Sequence, residues 1–142
     1  MPIVYTQGSF DLFHVGHVNL FERCREIAGK DGIVLVAVLG DDVYKKYRGY
    51  SPMIPFEQRK KMVASCRFVD RVIKSNNLNT KEEIEENCVD VIVIGSDWAT
   101  KDLAKQYDVS KEWLYPRLIY VPYTEDTSST SIKNKIMESK NE

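Results

Sequence analysis

Apolar residues follow two kinds of pattern along the chain. Three short runs rich in β-branched side chains, Ile3 to Thr6, Ile33 to Leu39 and Val89 to Ile94, each close on a glycine or polar turn signal and read as strands. Apolar residues occupy successive rather than alternate positions in them, which predicts strands covered on both faces, as in a parallel sheet between helices. Val69 to Ile73 and Leu118 to Val121 are shorter runs of the same kind. Between the runs the spacing turns helical: Val18, Phe21, Cys24, Ile27 and Ala28 stop at Gly29, and Phe56, Met62, Val63 and Cys66 follow Pro55. Lys81 to Glu86 predicts an acidic, solvated helix. From Thr127 on, hydroxyl residues able to cap a helix precede Ile132 and Ile136, one turn apart. The expectation is an α/β fold, a single Rossmann-like, doubly wound, parallel five-stranded sheet flanked by helices, with residues 1–142 as one domain. Ligands of such a sheet bind beyond the carboxyl ends of its strands, where the winding reverses.

Composition narrows this picture. The chain has 142 residues, 43% hydrophobic, enough for a core without a staple. Its 20 Lys and Arg against 21 Asp and Glu give a formal net charge of −1, so no general field draws it to nucleic acid or to an acidic membrane. An anionic ligand must be held locally. The sequence enters its first strand with no basic leader, and its longest apolar run is Ile33 to Leu39, so a cytoplasmic protein without membrane insertion is expected. Cys24, Cys66 and Cys88 are an odd count among apolar neighbours, as reduced, buried thiols would be.

Candidate chemistry begins just after the first strand. Gly8-Ser9-Phe10-Asp11-Leu12-Phe13-His14-Val15-Gly16-His17 runs straight into a helix, so two imidazoles and several backbone N–H groups meet at a helix N-terminus, an anion site. Gly8 would let the backbone approach a phosphate, and Gly16 would allow a tight turn between the histidines. Histidines three apart can also bind zinc. These are the chain's two histidines, however, and nothing marks the remote partners that a metal would need.

This stretch resembles the (G/T/S)-F-D-x-x-H-x-G-H signature of the cytidylyltransferase family of nucleotidyltransferases. Four further segments, in the family's order, extend the resemblance along almost the whole chain. Lys46-Tyr47-Arg48-Gly49 resembles the lysine-glycine loop over the triphosphate, and Glu57-Gln58-Arg59 with Cys66-Arg67-Phe68-Val69-Asp70 resembles the E-x-R helix and C-R-Y-V-D segment. Ile94-Gly95-Ser96-Asp97-Trp98 is similar to the G-D-D-W turn, and Thr124 to Thr130 to the R-T-E-G-I-S-T-T signature.

The resemblance implies transfer of CMP from CTP to a small phosphorylated acceptor with release of pyrophosphate. The acceptor phosphate would attack the α-phosphorus in line, without a covalent intermediate, and the protein would position the reactants and stabilise charge. His14 and His17 would serve as donors or cations at the α-phosphate, and Arg48 with Lys46 would neutralise the leaving pyrophosphate, helped by Mg²⁺ bound through the nucleotide phosphates. Gly8, Ser9, Phe10, Gly16, Asp97, Trp98, Thr127, Ser128, Ser129 and Thr130 would bind the nucleotide, Phe10 also supporting the His14 turn. Arg59, Arg67, Asp70 and Tyr123 would face the acceptor, although Arg59 and Arg67 also read as solvated charges. The family further implies a homodimer with Cys66 to Arg71 near its two-fold axis.

The chain departs from the pattern at instructive places. Tyr123 stands where the family has an arginine, Asp126 and Thr127 replace glycine and isoleucine, Arg48 replaces lysine, and Leu78 replaces a tryptophan of the glycerol-3-phosphate enzymes. These changes, with the segment Lys101 to Pro116 carrying Trp113 and Tyr115, point to a rebuilt acceptor pocket. Glycerol 3-phosphate stays a candidate beside an amino-alcohol or amino-acid-derived phosphate, whose ammonium Glu125 or Asp126 could pair. Two rival readings stay open: an adenylyltransferase using ATP, and a nucleotide-binding protein whose catalysis the change at Tyr123 has impaired. A dehydrogenase is disfavoured because no G-x-G-x-x-G follows the first strand.

Overall fold

The computed structural model describes residues 1–78, 81–96, 101–122 and 128–140. Five strands, β1 (Ile3–Gly8), β2 (Ile33–Leu39), β3 (Arg71–Ser75), β4 (Val91–Gly95) and β5 (Leu118–Val121), form one sheet in the order β3-β2-β1-β4-β5. Every pairing is parallel, so all five carboxyl ends lie along one edge. The order reverses at β1. One half winds outward through β2 and β3 and the other through β4 and β5, which opens a crevice above β1 and β4.

Helices α1 (Val15–Ala28), α2 (Asp41–Arg48), α3 (Phe56–Ala64), α4 (Lys81–Glu86), α5 (Leu103–Gln106), α6 (Lys111–Leu114) and α7 (Ser129–Lys140) join or follow the strands, with a 3-10 turn at Tyr115–Arg117 before β5. The unbroken apolar runs have the predicted consequence. Val4, Val34, Val36, Val38 and Val93 pack on one face with Phe21, Cys24 and Val63 of α1 and α3. Tyr5, Leu35, Ala37 and Ile92 pack on the other with Ile84, Leu103 and Leu114 of α4, α5 and α6. Burial of this kind stabilises by about 25 cal/mol per Å² of apolar surface. It also pushes the Cys24 thiol up to about 12, which leaves it an inert core side chain. Cys66 is half-buried and Cys88 exposed.

The elements differ from the expected ones at three places. The run expected at Val69 to Ile73 pairs as Arg71–Ser75, two residues later, because the Asp70 carboxylate takes the Val34 amide at the rim in place of a backbone carbonyl. The run from Val89 begins its strand at Val91, after Cys88 takes a left-handed φ of 54°. The segment read as a lysine-glycine loop is instead the last turn of α2. Asp41 and Asp42 occupy its first turn and Lys45, Lys46 and Arg48 its last, which suits the helix dipole, and Gly49 ends it at φ 84°. The stretch around Trp113 builds α5, α6 and the 3-10 turn. Among the described residues no helix is long and apolar enough to cross a membrane.

Candidate active site at the carboxyl edge of the sheet

A cleft of about 610 Å³ lies at the carboxyl edge, a size suited to a small organic ligand. Its centre is the turn between β1 and α1. Phe10 and Leu12 take left-handed φ values of 53° and 49°, a conformation that costs free energy and persists where surrounding contacts enforce it. The enforcing contacts are visible. The Phe10 ring is buried against Phe21 and the edge of His17, and a Cβ at Gly8 would lie 3.0 Å from that ring. Gly8 is therefore needed for packing whatever phosphate it meets, and the Phe10 side chain supports the turn from within the core. Asp11, 1% exposed, accepts from the amides of Met53 at 2.8 Å and Ile54 at 2.9 Å and pairs with Lys133 at 3.5 Å.

His14 caps α1. Its Nδ1 accepts from the Gly16 amide at 3.0 Å, while the His14 amide donates to His17 Nδ1 at 3.2 Å. The two rings stack with centroids 3.8 Å apart. Each Nδ1 thus faces a backbone N–H and cannot carry a proton, so each neutral ring presents Nε2–H as its free donor. Burial reinforces this. It lowers the His14 pKa, and together with the neighbouring His14 charge it pushes His17 down to about 3 against a smaller opposing pull from Asp11. Of the two roles open to these side chains, donor and cation, the unliganded geometry supports the neutral donor.

A second helix N-terminus faces the first. Ser128 caps α7 reciprocally with Ser131: each amide donates to the other's hydroxyl at 2.9 Å. Ser129 Oγ donates to Asp11 O, which ties α7 to the histidine turn. The first amides of α7, at Ser129 and Thr130, have no acceptor within the helix, and both residues line the cleft with Ser128. Two positive helix ends therefore flank one space.

Of the expected site residues, the structure brings Gly8, Ser9, His14, Gly16, His17, Arg48, Ser128, Ser129 and Thr130 to the cleft wall. Asp97, Trp98, Tyr123 and Thr127 lie outside the described residues, as do Glu125 and Asp126. Lys46 is exposed on α2 and takes no part in the wall.

Three acceptor assignments need correction. Arg59 is not a solvated charge, and it is absent from the cleft wall. Its side chain is fully buried, its Nε donates to Ile54 O at 2.7 Å, its Nη1 to Ser9 O at 2.7 Å and Leu39 O at 2.8 Å, and its Nη2 meets Asp41 Oδ1 at 2.6 Å. It clasps the loops after β1 and β2, and four of its five N–H donors are spent. Asp70 sits at the opposite, amino edge, where Oδ2 accepts from the Val34 amide at 2.8 Å and from Arg25 Nη1 at 2.7 Å. Arg67, three residues earlier, is exposed with its guanidinium 4.9 Å from the Phe68 ring and does not reach this chain's own cleft. Parallel strands put the start and the end of β3 at opposite rims, which the linear order of the motif conceals.

Gln7, Tyr44, Tyr50 and Lys133 also line the wall without a motif to mark them, while Lys101, Gln106 and Tyr107 come from the segment expected to shape the pocket. Lys133 Nζ lies 3.3 Å from Tyr44 Oη and 5.2 Å from the Tyr50 ring centroid. Burial opposes its charge, but Tyr44, Tyr50 and Asp11 outweigh burial and raise its pKa. A hint existed, since Lys133 follows Ser129 by four residues, one helical turn. The described wall carries the cationic side chains Arg48, Lys101 and Lys133 and no carboxylate, which suits a polyanion.

The chain is 35% identical over 137 residues to glycerol-3-phosphate cytidylyltransferase of Staphylococcus aureus, covering 96% of both. It is 34% identical over 137 residues to glycerol-3-phosphate cytidylyltransferase of Bacillus subtilis, covering 96% of this chain and 98% of that one. A more distant relative is FAD synthase of Korarchaeum cryptofilum, 29% identical, with 95% of this chain and 91% of that one covered. Among solved structures, the lipopolysaccharide core biosynthesis protein of Thermoplasma volcanium superposes with a TM-score of 0.72 at 21% identity over 88% of this chain and 99% of that one, which supports the fold. The sequence model of the cytidylyltransferase-like family matches residues 5–135, and with it the paired helix ends and the H-x-G-H turn place this chain in that family of nucleotidyltransferases.

Proposed function

We propose that this chain transfers CMP from CTP to a small phosphorylated acceptor, glycerol 3-phosphate or a related alcohol, amino-alcohol or amino-acid-derived phosphate, and releases pyrophosphate. The observation that carries the reading is the joint placement of His14, His17 and the α7 N-terminus around a cleft whose described wall holds three cations and no carboxylate. The triphosphate lies between the two helix ends, its nucleoside reaching toward the segment after β4. The Nε2–H groups of His14 and His17 bond the α-phosphoryl oxygens, where negative charge grows as the acceptor oxygen attacks and the pyrophosphate oxygen leaves. Arg48 and Lys133 neutralise the departing pyrophosphate.

Mg²⁺ fits this site as a passenger of the nucleotide. Among the described residues no group of three or more His, Cys, Asp or Glu is placed to hold a metal, and the Asp11 carboxylate is engaged by two amides and Lys133. Bound through phosphate oxygens, the ion would neutralise charge on the triphosphate. A homodimer with Cys66 to Arg71 near its axis belongs to the same reading. A monomer by light scattering at micromolar concentration would refute it.

The test is pyrophosphate release with Mg²⁺, each of CTP, ATP, GTP and UTP, and a panel of phosphorylated acceptors, with His17→Asn as control. The asparagine Oδ1 can replace Nδ1 as acceptor for the His14 amide but supplies no Nε2 donor. Release with CTP and one acceptor, lost in the variant, is the expected result. The FAD synthase relative favours one alternative, adenylyl transfer from ATP, and turnover with ATP but not CTP would select it.

A further inference from the structure

One polar network at the carboxyl edge is left unused by the mechanism above. Gln7, near the end of β1, is in register with Ala37 of β2. The small alanine lets the longer side chain pass over β2 to the end of β3. There Gln7 Nε2 donates to Ser75 Oγ at 2.6 Å and to Asn77 O at 3.1 Å. A backbone carbonyl can only accept, so the amide nitrogen must be the atom on this side. Ser75, fully buried, is itself held: its Oγ lies 2.7 Å from Asn77 O and 3.2 Å from Glu83 Oε2, and Tyr5 Oη donates to the same Glu83 oxygen.

Ser75 Oγ and Asn77 O together hold the Gln7 nitrogen toward the end of β3. Gln7 forms part of the cleft wall, and its Oε1, on the other arm of the amide from the anchored nitrogen, has no donor among the described residues. A phosphate oxygen would be repelled there, whereas a hydroxyl or ammonium would be bonded. Leu39 and Leu78 line the same wing of the cleft, over β2 and β3, on the other side of β1 from β4.

We infer that Gln7 is a specificity-determining residue, whose Oε1 accepts a hydrogen bond from a hydroxyl or ammonium on the carbon chain of the phosphorylated acceptor. The inference rests on the proposed transfer reaction, with the nucleoside on the β4 side. An acceptor with no such donor leaves Oε1 desolvated and unpaired, so the site discriminates against it.

The test uses glycerol 3-phosphate, O-phosphoethanolamine and n-propyl phosphate, the last without a donor. The wild-type chain is expected to use whichever donor-bearing acceptor it accepts with kcat/KM about tenfold above that for n-propyl phosphate. The compound favoured tells hydroxyl from ammonium. Gln7→Met should erase the preference by raising KM for the donor-bearing acceptor, with KM for the nucleotide unchanged. Ser75→Ala keeps Oε1 but removes one anchor, and should reduce the preference by about threefold. A preference unchanged in both variants, or a rise in nucleotide KM instead, overturns the assignment of Gln7 while wild-type turnover leaves the parent reading intact. No wild-type turnover with any acceptor overturns that reading and this assignment together.

Discussion

Two arginine–aspartate pairs hold opposite rims of the same sheet. At the amino edge, Arg25 meets Asp70 at 2.7 Å and also donates to Gly29 O at 2.6 Å and Gly32 O. At the carboxyl edge, Arg59 meets Asp41 at 2.6 Å with its own side chain fully buried, whereas that of Arg25 is 25% exposed. Both arginines satisfy backbone carbonyls that a turn would otherwise leave bare. The difference is what lies above them. The amino rim closes on itself, while the loops held by Arg59 carry Ser9 and Leu39 to the cleft, whose wall also holds Arg48 and Lys133. A buried cation that answers loop carbonyls is a structural part; under the proposed function, a cation beside open helix ends is a binding part.

Variants can break that contrast. His17→Asn should give the largest effect, a fall in kcat of about 100-fold or more with unfolding temperature little changed, because it removes one donor aimed at the developing charge. A loss below tenfold in steady-state assays would remove His17 from the reaction. Arg59→Met should come next, costing about 3 kcal/mol of stability by stranding Asp41 and several carbonyls, with activity falling as the loops loosen; thermal unfolding reads it directly. A variant of full stability with a raised acceptor KM would restore Arg59 as a substrate contact.

Arg25→Met should cost about 1 kcal/mol, since the side chain is partly solvated, and leave kcat/KM within about a factor of two. That pairing of outcomes would separate the rims cleanly. Lys46→Ala should be milder still, within about a factor of two in kcat/KM and without effect on unfolding, because Lys46 is exposed and off the cleft wall.

Acid supplies a finer probe of the histidine turn. Unfolded imidazole titrates near pH 6.5 and folded His17 near 3, so between these values the unfolded chain binds more protons. Stability is therefore full above about pH 6.5 and falls as pH drops toward 3, by about 1 kcal/mol per pH unit from this group. Denaturant unfolding of wild type against His17→Asn measures the difference. Catalysis by neutral donors also requires that kcat/KM not decline as pH rises from about 6 to about 8, as it would if an imidazolium were needed.

Much of this molecule is legible in its sequence, because some constraints act locally. The β-branched runs demanded two-sided cover and received it from α1 and α3 on one face and α4, α5 and α6 on the other. His14 and His17, followed by a helical period, announced two imidazoles at a helix N-terminus. Ser128 to Ser131 announced a cap. Other readings failed for a common reason. Arg59, Arg67 and Asp70 looked alike as charges near a helix and a strand, but a parallel strand carries its two ends to opposite rims, and burial turns one arginine into a clasp.

Periodicity, capping and motif order are properties of the linear chain, so the class of sheet, the turn that carries the histidines and the family could be read from it directly. Tertiary structure alone decided which cations meet in the cleft, which nitrogen of each histidine is free, and that Gln7 reaches across Ala37 to Ser75. Those outcomes depend on distances between residues dozens of positions apart, which are set by strand register and packing.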